Sequence, residues 1–339
     1  NESSFRTTLK HVQTVMNRIT KMVPNTVTNA VINLVMNNTL ISILGPTGIG
    51  KTALSLKLAS HFNTDIISAD SRQFYKEIPI GTAAPTPEEL SIATHHFIHH
   101  KSINDAYSVG AFEKDAIEKL EFLHASKSVV VMVGGSGLYV DAVLKGFDEF
   151  PEIPTEIRQQ LNSELESKGL EVLQQELKRL DPKSYKSIAL KNPHRVIRVL
   201  EICRGSGKPY SSFLNKPKSP RTFKTISIGL KADRPLMYQR INNRVDLMLE
   251  NGLVEEAKAV YKHRHCNALN TVGYKEMFQY FDGLWTLNFA ISEIKKNSRR
   301  FAKRQMTWFQ KDTKTKWFEY DTDVKNILEY INTSDQKRT

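Results

Sequence analysis

A glycine-rich segment holds the residues best suited to chemistry. It reads Gly45-Pro46-Thr47-Gly48-Ile49-Gly50-Lys51-Thr52, fits the pattern G-x-x-x-x-G-K-[ST], and is called here the phosphate loop. Its glycines let backbone N–H groups turn towards phosphate oxygens, the lysine supplies a point charge, and the threonine hydroxyl suits Mg²⁺. We therefore predict that the loop binds a di- or triphosphate.

An acidic residue, Asp70, follows a short apolar segment at residues 65–69. A carboxylate at a strand end beside a phosphate site can act as a general base or a metal ligand. An aspartate there can also simply cap a turn or helix. The apolar run at 129–133 ends in Gly134-Gly135, so it lacks the carboxylate that holds Mg²⁺ in nucleotide hydrolases. Ordinary nucleotide hydrolysis is therefore not favoured.

The elements that must position these residues alternate between strand and helix. Short β-branched runs predict strands at 39–44, 65–69 and 127–133, and helical spacing predicts helices at 51–62 and 109–126. The phosphate loop thus lies between a strand and a helix, as its mechanism requires. We predict an α/β fold, a P-loop NTPase-like parallel sheet flanked by helices, with ligands beyond the carboxyl ends of its strands.

Charged amphipathic helices between prolines predict an inserted helical subdomain in the middle of the chain. The predicted organisation is a poorly ordered extension at 1–36, a P-loop core at 37–147, the subdomain at 148–182, a second core part at 183–321 and a tail at 322–339. In the second core part we expect a helix at 193–203, a strand at 223–230 and long helices at 234–250 and 290–310.

Composition narrows the class of protein. The formal charge of +12 favours a polyanionic partner such as nucleic acid. The two cysteines, Cys203 and Cys266, belong to no cluster that would build a zinc or redox site, which predicts a reducing, cytoplasmic setting. No apolar run reaches the roughly 18 residues needed to span a bilayer. Nothing in the pattern demands more than a monomer.

The last long helix carries two different faces. Lys296, Arg300 and Arg304 recur at four-residue spacing on one side, whereas Ala302 and Phe309 belong with Met306 to an apolar stripe elsewhere. The cations could form a phosphate-facing surface on an anchored helix. A merely solvated basic face is the alternative.

A series of sequence blocks resembles, in order, the motifs of bacterial-type tRNA dimethylallyltransferases, also called tRNA isopentenyltransferases. The blocks are the phosphate loop, Ile67-Ser-Ala-Asp-Ser-Arg-Gln73 with Tyr75, Ile80-Gly-Thr-Ala83, Gly134-Gly-Ser-Gly-Leu-Tyr139, Pro193-His-Arg-Val-Ile-Arg198, Val272-Gly-Tyr-Lys-Glu276 and Lys303-Arg-Gln-Met-Thr-Trp308. They extend over nearly everything except the first residues and the tail.

The resemblance implies that the phosphate loop holds dimethylallyl diphosphate. The anticodon stem-loop of tRNA would present the adenosine 3′-adjacent to the anticodon, in tRNAs that read codons beginning with U. Asp70 matches the family's base for the N6 proton, and Lys51 and Thr47 would act at the diphosphate with Mg²⁺ on Thr52. Arg244 would clasp the phosphates, but a small gap in the alignment leaves Arg240 as its alternative.

The resemblance also implies a set of tRNA contacts, most of which are polar or cationic. They are Asp70, Ser71, Arg72, Gln73, Ser136, Arg158, His194, Arg195, Arg198, Gly273, Tyr274, Lys275, Lys303, Arg304, Gln305 and Trp308. The family usually has threonine where this chain has Ser136, so the hydroxyl is kept.

Three other functions remain open at this point. A relative that prenylates free AMP, ADP or ATP would share the phosphate loop, although the basic helix and the helical subdomain favour RNA. A P-loop small-molecule kinase would share the loop and an aspartate beyond the second strand. A non-enzymatic RNA-binding module would use the loop only as a nucleotide switch.

Overall fold

The computed structural model of the protein describes residues 38–336. These residues form two compact units. The core unit comprises the described residues up to Leu144 and those from Arg221 onward, and the helical unit is Lys145–Pro220. The predicted extension at 1–36 lies outside the described residues. Among residues 38–336 no helix is long and apolar enough to cross a membrane.

The core unit is built on a parallel sheet. In chain order its strands are β1 Thr39–Leu44, β2 Ile66–Ser68, β3 His95–His96, β4 Val129–Val133, β5 Lys224–Lys231 and β6 Lys316–Glu319. They lie in the order β3-β2-β4-β1-β5-β6, and each neighbouring pair is parallel. This arrangement confirms the predicted α/β class.

The α-helices of the described residues follow in chain order. They are α1 Lys51–Phe62, α2 Pro87–Ile92, α3 Val109–His124, α4 Gly137–Lys145, α5 Thr155–Lys168, α6 Leu170–Leu180, α7 Pro182–Ser187, α8 Pro193–Ser206, α9 Arg234–Glu250, α10 Leu253–Val260, α11 Tyr274–Phe281, α12 Leu287–Phe309 and α13 Val324–Gln336. Short 3₁₀ turns occur at Tyr210–Ser212, Tyr261–His263 and Asn267–Leu269.

Both faces of the sheet are covered, which explains why its strands are nearly continuous apolar runs. Alternate residues of β1 enter two separate clusters. Leu40 belongs to the cluster that contains Phe112 of α3, and Ile41 belongs to the cluster that contains Leu58 of α1. Because successive strand residues point to opposite faces, the apolar side chains of β1 divide between the two clusters, and every β1 residue is buried.

The strand order brings three loops to the same edge of the sheet. Since β4 lies between β1 and β2, the phosphate loop, the segment at Asp70 and the glycines after β4 follow neighbouring strands. A Cβ on Gly134 would lie 2.5 Å from the carbonyl oxygen of Ala69, so only glycine fits there. The missing carboxylate after β4 thus reflects the close approach of two loops.

The helical unit has a core of its own. Helices α5, α6 and α8 contribute Leu161, Leu177 and Leu200, all fully buried, to one cluster. Arg204 of α8 forms ion pairs with Glu164 of α5 at 2.8 Å and with Glu176 of α6 at 2.6 Å. Helix α8 is therefore an integral part of this unit.

Two sequence-based boundaries are wrong. The helical unit does not end at residue 182 but extends to Pro220, because α8 completes its core. The segment at 322–339, predicted to be a tail without a clear pattern, contains α13, whose Ile327 and Ile331 are buried in the cluster beneath β1. The short strands β3 and β6 were also not predicted.

Candidate active site

A cavity of about 1460 Å³ lies in the core unit at the carboxyl ends of the strands. Its lining includes Lys51 and Thr52 of the phosphate loop, Asp70 from the end of β2, and Arg240 and Arg244 from α9. The residues that the sequence assigned to phosphate binding and to proton removal therefore line one cavity.

The phosphate loop has the backbone shape that glycine permits. Gly48 and Gly50 have φ values of 78° and 112°, in the left-handed region that other residues avoid. Gly50 precedes α1 without a side-chain cap, so the first amides of that helix are directed at the cavity rather than at a capping oxygen. A helix N-terminus of this kind attracts anions.

The Lys51 ammonium lies against the loop that carries it. Its Nζ donates a hydrogen bond to the carbonyl oxygen of Pro46 at 2.8 Å. Burial, and to a smaller extent the positive charge of Arg244, lower the pKa of Lys51 to about 7, whereas the carboxylate of Asp70 acts in the opposite direction. An anion placed beside Lys51 would restore its charge.

The two arginines of α9 lie one helical turn apart and face the same cavity, yet they make different contacts. Arg240 Nε donates to the carbonyl oxygen of Gly48 at 2.8 Å, and its guanidinium stacks over Tyr320. Arg244 donates to the Ala83 carbonyl oxygen at 3.5 Å, and its Nε is buried without a partner. Burial lowers the pKa of Arg244, and Asp70 opposes this shift. Arg240 thus braces the loop, and Arg244 keeps bonding capacity for a ligand.

Asp70 both forms a local turn and lines the cavity. Its Oδ1 accepts a hydrogen bond from the backbone N–H of Arg72 at 3.1 Å, which is a local turn. Its Oδ2 faces Gly135, since a Cβ on that glycine would lie 3.6 Å away. One oxygen therefore fixes the turn while the carboxylate lines the cavity that contains Lys51.

Comparison with known proteins identifies the family. Residues 73–312 match the sequence model of the family described as IPP transferase. The chain belongs to the IPP transferase family. The tRNA dimethylallyltransferase of Christiangramia forsetii is 62% identical over 296 residues, which are 87% of this chain and 98% of the relative. The enzyme of the same name from Flavobacterium psychrophilum is 57% identical over 302 residues, again 87% and 98%.

Solved structures agree with this assignment. The tRNA isopentenylpyrophosphate transferase of Bacillus halodurans has a TM-score of 0.66 and 37% identity, and the match covers 89% of this chain and 98% of that one. A eukaryotic dimethylallyltransferase described as acting on tRNA has a TM-score of 0.69 and 27% identity, over 84% of this chain and 74% of that one. The family and the P-loop NTPase-like fold predicted from the sequence are both confirmed.

Several residues predicted to contact tRNA also join parts of this IPP transferase. Arg72 donates to the carbonyl oxygens of Asn267 and Ala268 at 2.8 and 2.9 Å. Gln73 Nε2 donates to the carbonyl oxygen of Ala83 at 3.1 Å. The Ser136 hydroxyl accepts from the backbone N–H of Ser71 at 3.0 Å. These side chains shape the wall of the cavity.

Other predicted contacts differ in their exposure. Lys275, Lys303 and Arg304 are exposed, and Lys275 and Arg304 line the cavity. Trp308 is partly exposed at 37%, and its Nε1 donates to Asp141 at 2.8 Å. Tyr274 is fully buried, so its side chain does not reach the surface. Gly273 is buried as well.

Four predicted contacts lie in the helical unit. Arg158, His194, Arg195 and Arg198 are all exposed there. Arg158 and Arg198 both reach Glu201, at 3.2 and 3.0 Å. One carboxylate thus holds two guanidinium groups side by side and leaves their outer N–H groups to solvent.

Sequence reasoning missed Glu256 of α10. Its carboxylate accepts hydrogen bonds from the backbone N–H groups of Ile80 and Gly81, both at 2.8 Å, and from the hydroxyl of Tyr274. It thereby joins two of the sequence blocks and fixes the segment whose Ala83 carbonyl oxygen meets Arg244. No motif includes Glu256, and its position four residues before the end of α10 gave no signal.

Proposed function

We propose that this IPP transferase moves a dimethylallyl group from dimethylallyl diphosphate to N6 of the adenosine 3′-adjacent to the anticodon. The tRNAs would be those that read codons beginning with U, and diphosphate would be released. The single observation that carries the proposal is that an anion-binding glycine loop and a carboxylate face the same cavity. The names of the relatives, which refer to tRNA, add independent support.

The diphosphate would lie against the phosphate loop and the N-terminus of α1. Lys51, whose pKa is about 7 because of burial and Arg244, would take up a proton as the anion binds. Arg244 has a buried Nε without a partner and would donate to a phosphate oxygen. These groups stabilise the negative charge that develops on the leaving diphosphate.

The proton of the acceptor amine needs a base, because an exocyclic adenine nitrogen is a poor nucleophile. Asp70 would accept this proton as the nitrogen attacks the first carbon of the dimethylallyl group. The new bond joins carbon to nitrogen, and the bond between carbon and the bridging phosphate oxygen breaks. The Asp70 turn, fixed by Arg72 N–H and by Ser71 on Ser136, orients the carboxylate for this step.

Mg²⁺ fits this site as a partner of the diphosphate. The side chain of Thr52, at the start of α1, lines the cavity beside Lys51, and a hydroxyl is an oxygen ligand of the kind that Mg²⁺ accepts. Since Mg²⁺ is usually bound by few protein groups together with phosphates, Thr52 and the substrate would hold it. When bound, it would neutralise charge on the leaving group.

The acceptor RNA would meet the exposed cations. The core unit offers Lys275, Lys303 and Arg304 as donors to phosphate oxygens. The helical unit, taken by itself, offers Arg158, Arg195 and Arg198. The target base would leave its stack to enter the cavity. We propose that the reaction takes place in the cytoplasm and that the enzyme acts as a monomer.

The deciding experiment supplies the purified protein with labelled dimethylallyl diphosphate and either tRNA, AMP or ATP. We expect mass analysis of the tRNA nucleosides to give N6-dimethylallyladenosine at the position 3′ of the anticodon. Label on AMP or ATP instead would favour the adenylate-prenylating alternative. Phosphoryl transfer from labelled ATP to a small molecule would favour a kinase, and either result would contradict the proposal.

A further inference from the structure

Gln305 of α12 lies inside the core unit although its sequence block resembles a tRNA-contacting segment. It is 6% exposed. Its Oε1 accepts from the backbone N–H of Thr47 at 2.9 Å, and its Nε2 donates to the carbonyl oxygen of Gly135 at 2.8 Å. Because an N–H can only donate and a carbonyl oxygen can only accept, these partners fix the orientation of the amide. Both ends of the side-chain amide are satisfied within the protein.

The two partners of Gln305 belong to the two halves of the candidate site. Thr47 lies in the phosphate loop after β1. Gly135 follows β4, and a Cβ on it would lie 3.6 Å from Oδ2 of Asp70. The amide of Gln305 therefore forms a bridge from the phosphate loop to the backbone of Gly135, which lies beside the Asp70 carboxylate.

The bridge also explains why residue 135 is glycine. A Cβ at that position would lie 2.4 Å from Nε2 of Gln305, well inside contact distance. A side chain there would push the amide away from both backbone partners. The absence of a side chain at Gly135 thus leaves the space that the amide of Gln305 occupies.

We propose that Gln305 is a positioning residue that sets the separation between the phosphate loop and Asp70, and that it does not contact tRNA. This inference rests on the proposed prenyl transfer. It follows from the chemistry of the bridge, since attack requires the leaving group and the base to be held at a fixed distance. It also means that the Thr47 N–H is engaged by Gln305 and that other donors of the loop serve the phosphates.

The main test replaces Gln305 by methionine, which keeps the length of the side chain and removes both hydrogen bonds. We expect kcat to fall about 10- to 100-fold, as for a small misplacement of reacting groups. The Kd for inorganic diphosphate should rise about fivefold or more, since the phosphate loop is no longer held in place by the bond between Thr47 N–H and Gln305. The Kd for tRNA should stay within about twofold of the unaltered protein, because no contact to the RNA is removed.

Two reference variants define the alternatives. Gln279→Met makes the same change in α11, at a glutamine outside the cavity lining, and should leave kcat and both Kd values unchanged. Lys303→Ala removes an exposed predicted tRNA contact and should raise the Kd for tRNA while diphosphate binding stays the same. A Gln305→Met variant that behaves like Lys303→Ala would overturn the positioning role.

A measurement on the unaltered protein covers the case in which Gln305→Met does not fold. Hydrogen exchange of the Thr47 amide should be slow in the free protein and should stay slow when tRNA is bound. A side chain that turned to the RNA would release this amide, so faster exchange with tRNA would refute the proposal. Transfer by the unaltered protein is measured first, so a failure of the overall function is distinguished from a failure of the bridge.

Discussion

Asp70 is the residue on which the chemistry depends most directly. Replacing it by alanine should lower turnover by ~10² to 10⁴ while tRNA affinity stays nearly intact, the range typical of losing a general base. Single-turnover transfer and tRNA binding, measured separately, give the two quantities. Full activity in the alanine variant would exclude the role of base.

The asparagine variant separates catalysis from structure at the same position. Asp70→Asn keeps an oxygen that can accept from the N–H of Arg72, so the turn is preserved. It has no carboxylate to accept a proton. We expect Asp70→Asn to be about as inactive as Asp70→Ala. An active asparagine variant would mean that Asp70 only stabilises the turn.

Lys51 predicts a dependence on pH whose sign follows from its burial. Burial and Arg244 lower its pKa from 10.5 to about 7 in the folded protein. Between these values the unfolded chain binds a proton that the folded protein does not, so this residue makes stability increase as pH rises from 7 to 10.5. Its contribution to the slope is at most about 1.4 kcal/mol per pH unit.

The measurement compares the unaltered protein with Lys51→Met, which cannot titrate. The free energy of unfolding of the unaltered protein should rise relative to the variant as pH increases above 7. Diphosphate binding, which favours the charged lysine, should weaken over the same interval relative to the variant. Parallel pH profiles for the two proteins would show that Lys51 remains charged in the free enzyme.

Sequence reasoning identified the phosphate loop and Asp70 as candidates because the types and spacing of their residues are typical of phosphate binding and of a carboxylate beside a phosphate site. It preferred Arg244 and kept Arg240 as the alternative, since the two lie on one face of α9 and a small alignment gap could exchange them. The choice depends on partners far away in the sequence, Gly48 for the first and Ala83 for the second. Glu256 was missed for the same reason, because its partners become neighbours only in the fold.

At the scale of elements, α12 shows how much a helical period can predict. The stripe with Ala302 and Phe309 is buried, and Arg300 and Arg304 are exposed, as the spacing indicated. Lys296 differs, because it pairs with Glu293 on the same helix. Gln305 lies between the two faces, and periodicity alone gave no sign that its amide would join two loops.

The exposed face of α12 should contribute to RNA affinity through charge. Arg304→Ala should weaken tRNA binding and reduce the slope of log Kd against log salt by about 1, as expected for one lost phosphate contact. The control is Lys325→Ala, which removes an exposed cation from α13. Equal slopes for Arg304→Ala and the unaltered protein would leave the arginine as a solvated charge. Diphosphate affinity should not change in either variant.

At the scale of the whole molecule, the class of fold was predictable but its strand order was not. Alternating strands and helices indicate a parallel sheet covered by helices on both faces. No local pattern reveals that β4, which comes later in the chain, lies between β1 and β2 in the sheet. The missed strands are short or late: β3 has only two residues, and β6, like helix α13, follows the last motif. Their stability comes from pairing and burial, which local sequence does not encode.

A cavity in the hydrophobic cluster of the helical unit should make that unit unfold at a lower temperature than the core unit. Leu177 is fully buried among residues of α5, α6 and α8, so Leu177→Ala leaves a cavity and should destabilise this unit by about 2–5 kcal/mol. Because the unit has its own hydrophobic cluster, we expect a separate unfolding step. Hydrogen exchange should accelerate in α5, α6 and α8 and remain slow in β1.

In Leu177→Ala, diphosphate binding and transfer to tRNA should be lost at different temperatures. The phosphate loop, Asp70 and Arg244 all belong to the core unit, so diphosphate affinity should persist at temperatures where the helical unit has opened. Transfer to tRNA should fall over that interval, because Arg158, Arg195 and Arg198 lose the scaffold that presents them. The control, Leu58→Ala, places the same cavity in the core unit, where Leu58 is fully buried, and should weaken diphosphate binding as it unfolds. If Leu177→Ala lost diphosphate and tRNA binding at one temperature, the two units would unfold as a single cooperative system, and the predicted separation of the two binding functions would be wrong.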